Sequence, residues 1–321
     1  MAADPQRRRA AIIGTGLIGQ AWAIVFARQG WQVRLYDVNA AMLAEEAGAL
    51  IRRQLDELQA HGLLRDAAAA AARIEVAASL PEALAGARYI QENSPERLDL
   101  KRELFAQLDA AAEPDAIIGS STSSIPASEF TEGLPGRQRC LVAHPVNPPY
   151  LIPVVELCPA PWTSEAAMRA ARDIMLDIGQ KPVTMRREIE GFILNRLQGA
   201  LLHEAFRLAA AGIASAEDID TTVKDGLGLR WSFMGPFETI DLNAPGGIAD
   251  YCARYGGLYQ SIGATQGQAV PWDGALVEAL AAERRGLLPA DDLTARRYWR
   301  DEQLMRLMRH KQQQDNGDEN G

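Results

Sequence analysis

An apolar run leads into a glycine-rich turn near the start of the chain: Ala10-Ala11-Ile12-Ile13-Gly14-Thr15-Gly16-Leu17-Ile18-Gly19. The apolar run predicts a strand, and Leu17 to Gln29 predicts a helix that ends at Gly30. Trp31 to Asp37 alternates between apolar and polar residues, as a second strand does. The order strand, turn, helix, strand, with G-x-G-x-x-G spacing in the turn, is typical of a dinucleotide-binding βαβ unit.

The glycines of the turn have distinct predicted roles. Gly14 permits the tight turn, Gly16 lets the backbone approach a pyrophosphate, and Gly19 allows the helix to pack closely on the strand. The helix begins at Leu17 and Ile18, where free N–H groups carry the partial positive charge of the helix N-terminus toward the phosphates. We therefore predict that these five residues form the phosphate part of a dinucleotide site.

Asp37 predicts which dinucleotide binds. A carboxylate at the end of the second strand accepts hydrogen bonds from the hydroxyl groups of the adenine ribose. The same carboxylate repels the 2′-phosphate of NADP, and Val38-Asn39 supply no compensating arginine. The predicted cofactor is NAD.

The alternation of helical and strand-like patterns continues through the first part of the chain. Further short apolar segments lie at residues 74–77, 89–91, 116–119, 140–143, 153–157 and 182–185. This alternation predicts an α/β fold, with a Rossmann-type, doubly wound and mostly parallel sheet covered by helices on both faces.

The pattern changes after Glu190. From Phe192 to Ala211 the chain reads as an apolar helix, and no convincing strand follows. We predict an NAD-binding Rossmann domain over residues 1–189 and an all-helical C-terminal domain over residues 190–311 that serves substrate binding and dimerisation. The polar residues 312–321 predict a disordered tail.

Composition narrows the class of protein. The 321 residues suit two domains, and the net charge of −9 argues against a nucleic acid partner. No apolar stretch approaches the roughly 18 residues that a membrane span needs. The three cysteines, Cys140, Cys158 and Cys252, fit neither a disulfide framework nor a zinc site, so we expect a cytoplasmic location and no bound metal.

One of the four histidines stands where a ligand crevice is expected. His144 follows the apolar run from Cys140 to Ala143 and therefore lies at the carboxyl end of a predicted strand, where ligands of open α/β sheets bind. Hydride transfer at an alcohol or carbonyl carbon needs a proton partner, and the pKa range of histidine suits that role. On position alone, His144 is either this acid and base or a structural histidine.

Several segments together resemble the L-3-hydroxyacyl-CoA dehydrogenase superfamily. They are the glycine turn, Ser120-Ser121-Thr122-Ser123-Ser124, His144-Pro145-Val146-Asn147-Pro148, Glu156, Gly191-Phe192-Ile193-Leu194-Asn195-Arg196 and Met234-Gly235-Pro236-Phe237-Glu238. The resemblance extends from about residue 10 to about residue 310. Within the superfamily the chain most resembles the λ-crystallin and L-gulonate 3-dehydrogenase branch, in three further segments: Ala143 to Tyr150, Gly226 to Arg230 and Ala295 to Glu302.

The resemblance implies a catalytic set. His144 would take the proton of a 3-hydroxyl group as a hydride leaves for NAD, and Glu156 would accept a hydrogen bond from the far ring nitrogen. Ser123 and Asn195 would bind and orient the reacting oxygen of the substrate. Without the resemblance, Ser123 reads as a helix cap, Asn195 as a core amide and Glu156 as a strand-end surface charge.

The resemblance also extends the cofactor site. Glu96 and Lys101 match positions that line the nicotinamide-ribose side of NAD in the family. From sequence alone, Glu96 also reads as an ordinary carboxylate in a first helical turn, and Lys101 reads as a solvated lysine.

The substrate expected from these motifs is a small 3-hydroxy acid. Family members that act on acyl-CoA more often carry two aromatic residues after the histidine, where this chain has Pro145 and Val146. Residues 42–76 hold four arginines against six carboxylates, which is a poor cradle for the phosphates of CoA. We expect oxidation of an L-gulonate-like acid or a short 3-hydroxy carboxylate to the 3-keto acid. The alternatives are an L-3-hydroxyacyl-CoA substrate such as 3-hydroxybutyryl-CoA, and a bulk structural role without catalysis.

Two further predictions concern the helical domain. Arg230 lies in a predicted glycine-bearing loop, and its guanidinium has the shape to bind a carboxylate with two parallel hydrogen bonds. The alternative is a surface arginine or one that caps the C-terminus of a helix. The run from Phe192 to Ala211 is apolar on most sides, more than one small domain can cover. We therefore expect a symmetric homodimer through the helical domain, the alternative being that the Rossmann domain alone covers this helix.

Overall fold

The computed structural model describes residues 8–39, 47–267, 270–272 and 274–318, with side chains described to residue 314. The chain divides into two compact units. The first comprises Met1–Asn195 and Tyr298–Gly321, and the second comprises Arg196–Arg297.

The first unit is built on an eight-stranded sheet. Its strands are β1 (Arg9–Ile13), β2 (Gln32–Tyr36), β3 (Ile74–Val76), β4 (Tyr89–Glu92), β5 (Ile117–Ser120), β6 (Cys140–Pro145), β7 (Val154–Pro159) and β8 (Lys181–Thr184). They lie in the order β3-β2-β1-β4-β5-β6-β7-β8. Neighbouring strands run parallel except for the antiparallel pair β6 and β7. This confirms the predicted Rossmann-type, mostly parallel sheet.

Seven α-helices are described before the end of the sheet: α1 (Leu17–Arg28), α2 (Gly48–Ala60), α3 (Ala67–Ala71), α4 (Leu80–Leu84), α5 (Leu98–Ala111), α6 (Ser128–Thr131) and α7 (Glu165–Asp177). A short 3-10 helix spans Arg137–Arg139. The charged sequence from Ala40 to Ala60 also predicts a helix, of which residues 40–46 lie outside the described part of the chain.

Alternate residues of β1 show how both faces of the sheet are covered. Ala10 and Ile12 belong to one buried apolar cluster, which also holds Trp22 and Phe26 of α1. Ala11 and Ile13 belong to a second cluster, which also holds residues of α5. A strand sends successive side chains to opposite faces, so a strand buried on both sides reads as a continuous apolar run. Burial of each large side chain contributes about 1.5–3 kcal/mol.

Helices follow the sheet, as predicted for the C-terminal part of the chain. They are α8 (Leu194–Ala210), α9 (Ala216–Thr221), α10 (Gly228–Trp231), α11 (Pro236–Asp241), α12 (Gly247–Thr265), α13 (Gly274–Leu287) and α14 (Leu293–Asp318). A π-helical segment, Thr222–Leu227, precedes α10. No strand is assigned after β8 in the described residues.

The first unit extends beyond the predicted boundary at residue 189, to Asn195. Phe192 is fully buried in the second apolar cluster, and the backbone N–H groups of Ile193 and Leu194 both bind Glu156 of β7. These contacts hold the segment that follows β8 to the sheet.

The end of the chain also differs from its prediction. Residues 312–318 continue α14, where a disordered tail was expected, and residues 319–321 lie outside the described residues. Met305 of α14 is buried in the first unit, and the Arg53 guanidinium lies 4.3 Å from the ring centre of Tyr298. The packing of these residues offsets the unfavourable free energy of starting the helix. Residues of good helix propensity such as Lys311 and Gln312 then continue it.

The described residues contain no helix long and apolar enough to span a membrane. Cys140, Cys158 and Cys252 are all free thiols. The cytoplasmic location stays a prediction.

Candidate active site

The glycine turn between β1 and α1 is closely packed at two of its glycines and open at the third. Gly14 has φ +86°, and a Cβ there would lie 2.8 Å from the backbone carbonyl of Asn93. A Cβ on Gly19 would lie 1.9 Å from the carbonyl oxygen of Gly14. A Cβ on Gly16, in contrast, would meet nothing within 4 Å. The turn therefore tolerates only glycine at two positions and leaves room above the third, as a bound pyrophosphate requires.

The start of α1 is available to an anion. Leu17, its first residue, is exposed, and no side chain of the described residues caps the helix at Gly16. The first N–H groups of a helix have no partner within the helix. This geometry fits the phosphates of a dinucleotide.

Asp37 stands at the end of β2 beside the glycine turn. Its Oδ2 accepts hydrogen bonds from the backbone N–H of Thr15 at 2.8 Å and from the Thr15 hydroxyl at 3.0 Å. Its Oδ1 accepts one from the N–H of Asn39 at 3.1 Å. The turn thus orients the carboxylate predicted to select NAD, and Thr15 has a positioning role that the motif did not reveal.

His144 and Glu156 form a buried pair on adjacent antiparallel strands. They are direct neighbours in the register of β6 and β7, and Nδ1 of His144 lies 2.8 Å from Oε2 of Glu156. Their side chains are 8% and 2% exposed. This pairing excludes the reading of Glu156 as a surface charge. No other hydrogen bond to the His144 ring occurs among the described residues, which leaves Nε2 for another partner.

The second oxygen of Glu156 holds the start of α8. Oε1 accepts hydrogen bonds from the backbone N–H groups of Ile193 at 2.8 Å and Leu194 at 2.9 Å. Burial opposes ionisation of this carboxyl group, but the hydrogen bonds from His144, Leu194 and Ile193 outweigh burial and lower the pKa of Glu156. Glu156 is therefore suited to carry the negative charge that stabilises a protonated His144.

Phe192 adopts an uncommon backbone conformation beside this pair. Its φ is +50°, directly after Gly191 with φ +74°, and positive φ is disfavoured for a residue with a large side chain. The ring is fully buried, with its centroid 5.4 Å from that of His144. Such a conformation costs on the order of 1–3 kcal/mol and persists where surrounding contacts enforce it. Here it directs two successive N–H groups at Glu156 and an aromatic ring at His144.

Ser123 and Asn195 come together at the same edge of the sheet. The Asn195 side-chain amide donates to the backbone oxygen of Ser123 at 2.8 Å. Ser123 follows the carboxyl end of β5, which pairs in parallel with β6, and Asn195 follows the two residues bound to Glu156. The structure thus groups Ser123, His144, Glu156 and Asn195, the four residues that the resemblance selected.

Glu96 organises the loop that carries Ser123. Its Oε1 accepts hydrogen bonds from the N–H groups of Ser123 at 3.1 Å and Ser124 at 3.0 Å, and from the Thr122 hydroxyl. Burial opposes ionisation, but the bonds from Thr122 and Ser124 and the charge of Lys101 lower the pKa of Glu96. Glu96 is thus a structural part of the site, and its contact with NAD stays a prediction.

Lys101 is not a solvated lysine. Its side chain is 1% exposed, and its ammonium lies 3.0 and 3.1 Å from the two carboxylate oxygens of Glu92. Glu92 also accepts hydrogen bonds from the hydroxyl groups of Ser94 and Ser120. Protein groups therefore enclose the ammonium. A contact between Lys101 and the nicotinamide ribose stays a prediction. Glu92 was not among the predicted site residues, although it lies in the polar run that follows the apolar start of β4.

The described residues contain no cluster of three or more histidine, cysteine or carboxylate side chains that could hold a metal ion. Arg230 lies in α10 of the second unit and not in a loop as predicted, and its side chain is exposed.

Both parts of the chain match domains of a known family. The 3-hydroxyacyl-CoA dehydrogenase NAD-binding domain family matches residues 9–189, and the C-terminal domain of the same enzymes matches residues 191–286. λ-Crystallin of Oryctolagus cuniculus is 43% identical over 97% of this chain and 98% of its own length. L-Carnitine dehydrogenase of Streptomyces griseus is 40% identical over 86% of this chain and 81% of its own length.

Solved structures give the same result. The chain is similar to an NAD-dependent 5-formyl-3-hydroxy-2-methylpyridine 4-carboxylic acid 5-dehydrogenase, with TM-score 0.82 and 27% identity over 94% of this chain and 97% of the other. It is also similar to 3-hydroxybutyryl-CoA dehydrogenase of Escherichia coli, with TM-score 0.65 and 30% identity over 79% of this chain and 53% of the other. The chain therefore belongs to the 3-hydroxyacyl-CoA dehydrogenase family and is an NAD-dependent dehydrogenase that acts on a hydroxyl group.

Proposed function

We propose that this enzyme oxidises the 3-hydroxyl group of a small 3-hydroxy acid to the 3-keto acid, with His144 as the general base. The observation that carries the proposal is the 2.8 Å contact between Nδ1 of His144 and Glu156, which leaves Nε2 without a partner among the described residues. A buried histidine oriented by a carboxylate is the arrangement that proton transfer needs.

The reaction divides the two hydrogens of the CH–OH group between two acceptors. The glycine turn and Asp37 would hold NAD, which would supply the acceptor for the hydride from C3 of the substrate. Nε2 of His144 accepts the hydroxyl proton, which leaves a ketone. The resulting imidazolium is stabilised by the charge of Glu156, and in the reduction direction His144 returns the proton.

Ser123 and Asn195 would hold the substrate oxygen near Nε2. The bond between the Asn195 amide and the Ser123 backbone oxygen at 2.8 Å fixes the two residues relative to each other. A reactant held in one geometry avoids much of the entropic barrier to reaction. Bonds to the oxygen also stabilise the charge that develops as the proton leaves.

Three observations favour a free acid as substrate. Relatives at 40% identity are L-carnitine dehydrogenases, and L-carnitine is a free 3-hydroxy acid. Pro145 and Val146 follow His144, and residues 42–76 are net acidic where CoA phosphates would need basic partners. L-Gulonate and short 3-hydroxy carboxylates belong to this class. The second candidate is a 3-hydroxyacyl-CoA, which the similarity to 3-hydroxybutyryl-CoA dehydrogenase favours.

Parallel kinetics separate the two substrate classes. NADH formation is followed with L-gulonate, L-carnitine and 3-hydroxybutyrate, and NADH consumption is followed with acetoacetyl-CoA. The proposal expects the highest kcat/KM with one of the free acids. A kcat/KM for acetoacetyl-CoA that exceeds every free acid by about 10-fold or more would establish the thioester as the substrate.

Arg230 is proposed to bind the substrate carboxylate. It is an exposed cation on a short helix, and a guanidinium binds a carboxylate through two parallel hydrogen bonds. A CoA thioester lacks this carboxylate, so Arg230 would discriminate between the two substrate classes.

A homodimer is proposed from the surface of the second unit. Thr239 and Ala244 are the only buried residues among those described in this unit. Large apolar side chains are exposed instead, among them Leu197, Ile213, Phe233, Phe237 and Leu242, each more than 60% exposed. Apolar surface of this extent marks an interaction site, and a second copy in two-fold symmetry is the commonest partner. A monomer mass in sedimentation equilibrium at micromolar concentration would contradict the dimer.

A further inference from the structure

Gln91 reaches across one strand of the sheet to the strand of His144. It belongs to β4, and its side-chain Nε2 donates to the backbone oxygen of Ala143 in β6 at 3.1 Å. β5 lies between these two strands. The acceptor belongs to the residue that directly precedes His144, and the Gln91 side chain is fully buried.

Gly119 makes this crossing possible. It is the residue of β5 that pairs with Gln91. A Cβ at this position would lie 2.3 Å from the Tyr89 hydroxyl and 3.0 Å from Cβ of Ala143. The first distance is shorter than real Cβ contacts, so glycine at this position leaves the space in which side chains of β4 lie over β5.

The amide of Gln91 is satisfied by two further hydrogen bonds. Its Oε1 accepts one from the Tyr89 hydroxyl at 2.8 Å, and its Nε2 donates a second one to the Ser121 hydroxyl at 2.7 Å. Burial raises the pKa of Tyr89, so its hydroxyl stays protonated and able to donate. A buried amide bonded in this way is held in one orientation.

The same network continues to the cofactor turn. The Ser121 hydroxyl donates to Oδ1 of Asn93 at 2.7 Å, and Nδ2 of Asn93 donates to the backbone oxygen of Ile13 at 3.2 Å. Ile13 directly precedes Gly14 of the glycine turn. Continuous hydrogen bonds therefore join the residue before the glycine turn to the residue before His144.

We infer that Gln91 is a positioning residue, which fixes His144 relative to the cofactor turn through the backbone of Ala143. This rests on the proposed role of His144 as the base. Gln91 has no predicted contact with substrate or NAD. Its effect is on the distance between the proton acceptor and the hydride acceptor, to which the rate is sensitive because a displacement of about 1 Å costs on the order of 100-fold.

The first test compares two substitutions within the network. Gln91→Met keeps the side-chain length and removes all three bonds of the amide, to Ala143, to Ser121 and from Tyr89. Tyr89→Phe removes the bond to Oε1 of Gln91 but leaves the bond to Ala143. We expect kcat to fall about 10- to 100-fold in Gln91→Met and to change less than about 2-fold in Tyr89→Phe. The Kd of NAD, measured by calorimetry, should change less than about 3-fold in both, since Asn93 keeps its own bond to Ile13.

The second test observes His144 without turnover. A proton on Nδ1 of His144, bonded to Glu156, should give a low-field NMR resonance, and its loss in His144→Ala should identify it. We expect this resonance to shift or broaden in Gln91→Met and to be unchanged in Tyr89→Phe. If Gln91→Met leaves both the resonance and kcat unchanged, Gln91 is not a positioning residue. If His144→Ala retains activity while the resonance still responds to Gln91→Met, the positioning stands and the role of His144 as base is wrong.

A third variant covers the case in which Gln91→Met does not fold. Gly119→Ala places a methyl group against the Tyr89 hydroxyl and should lower kcat. Tyr89→Phe in the same chain removes the hydroxyl at 2.3 Å and should restore part of the loss. An unchanged kcat in Gly119→Ala would overturn the inference, because the crossing of β5 by these side chains would then not matter to turnover.

Discussion

Glu156 binds His144 and the start of α8 at the same time. One carboxylate oxygen lies 2.8 Å from Nδ1 of His144, and the other accepts the backbone N–H groups of Ile193 and Leu194. The carboxylate that orients the proposed base therefore also anchors the segment that carries Asn195. Replacement of Glu156 should affect catalysis and stability by separate routes.

Glu156→Gln should lower kcat by about 10- to 100-fold, because the neutral amide does not stabilise a protonated His144. The variant keeps an oxygen able to accept the N–H groups of Ile193 and Leu194. Steady-state NADH formation measures the change. A kcat within about 2-fold of wild type would show that the charge of Glu156 is not used in turnover.

The lowered pKa of Glu156 predicts how the stability of this site depends on pH. A carboxyl group whose folded pKa lies below its unfolded value stabilises the fold fully above the unfolded value, here near the ordinary 4.5, and this contribution is lost as pH falls through the folded pKa. The urea midpoint of wild type should therefore exceed that of Glu156→Gln at pH 7, and the difference should shrink below about pH 4.5. A difference that stays constant from pH 7 to pH 3.5 would contradict the assigned shift.

Phe192→Leu tests the ring beside His144. Loss of the ring leaves His144 and Glu156 less confined, so we expect kcat to fall about 10-fold or more with little change in the Kd of NAD. Phe105→Leu is the matched control, because Phe105 is also fully buried in the second apolar cluster. Both variants should lose unfolding free energy on the order of 1–3 kcal/mol. Equal kcat in the two variants would show that Phe192 contributes to packing and not to the position of His144.

Asp37 should set the preference for NAD over NADP. Asp37→Asn should lower the kcat/KM for NAD relative to that for NADP by about 10-fold or more. The reason is that the charge of Asp37 and the 2′-phosphate of NADP, as like charges near a protein surface, repel by roughly 1–4 kcal/mol at contact. Thr15→Val removes the hydroxyl bond to Asp37 but keeps the charge, so its ratio should stay close to wild type. A wild-type enzyme with the higher kcat/KM for NADP would refute the role of Asp37.

Arg230→Ala should reduce kcat/KM for a free hydroxy acid by about 10- to 150-fold, because a charge-assisted hydrogen bond contributes roughly 1.5–3 kcal/mol. Acetoacetyl-CoA, which lacks that carboxylate, should lose much less. Arg254→Ala serves as the control, because Arg254 is an arginine of the same unit that pairs with Asp250. Equal losses on both substrates would assign Arg230 to the fold or to the cofactor.

The sequence predicted the parts of the fold that depend on local pattern. The run from Ala10 to Gly19 indicated the first strand, the turn and the helix, and the structure has β1 and α1 at these positions. The apolar segments that followed indicated the remaining strands. Strand ends are where an open parallel sheet binds ligands, so His144 could be selected before its neighbours were known.

Contacts between distant segments were beyond the sequence patterns. Phe192, with its positive φ, directly precedes the two N–H groups that bind Glu156. Glu156 lies 36 residues earlier in the chain, on the strand that pairs with β8. The bond from Gln91 to Ala143 requires β5 to lie between their strands with glycine at the crossing. The end of α14 read as a disordered tail because its polar sequence does not reveal that Met305 packs in the first unit.

The most direct test of the central proposal is the rate of NADH formation by His144→Ala at saturating NAD and 3-hydroxy acid, with NAD affinity measured by calorimetry as the check on folding. If His144 is the base, kcat should fall by about 100-fold or more while the Kd of NAD stays near wild type. A correctly folded His144→Ala enzyme with near-normal turnover would remove His144 from the mechanism.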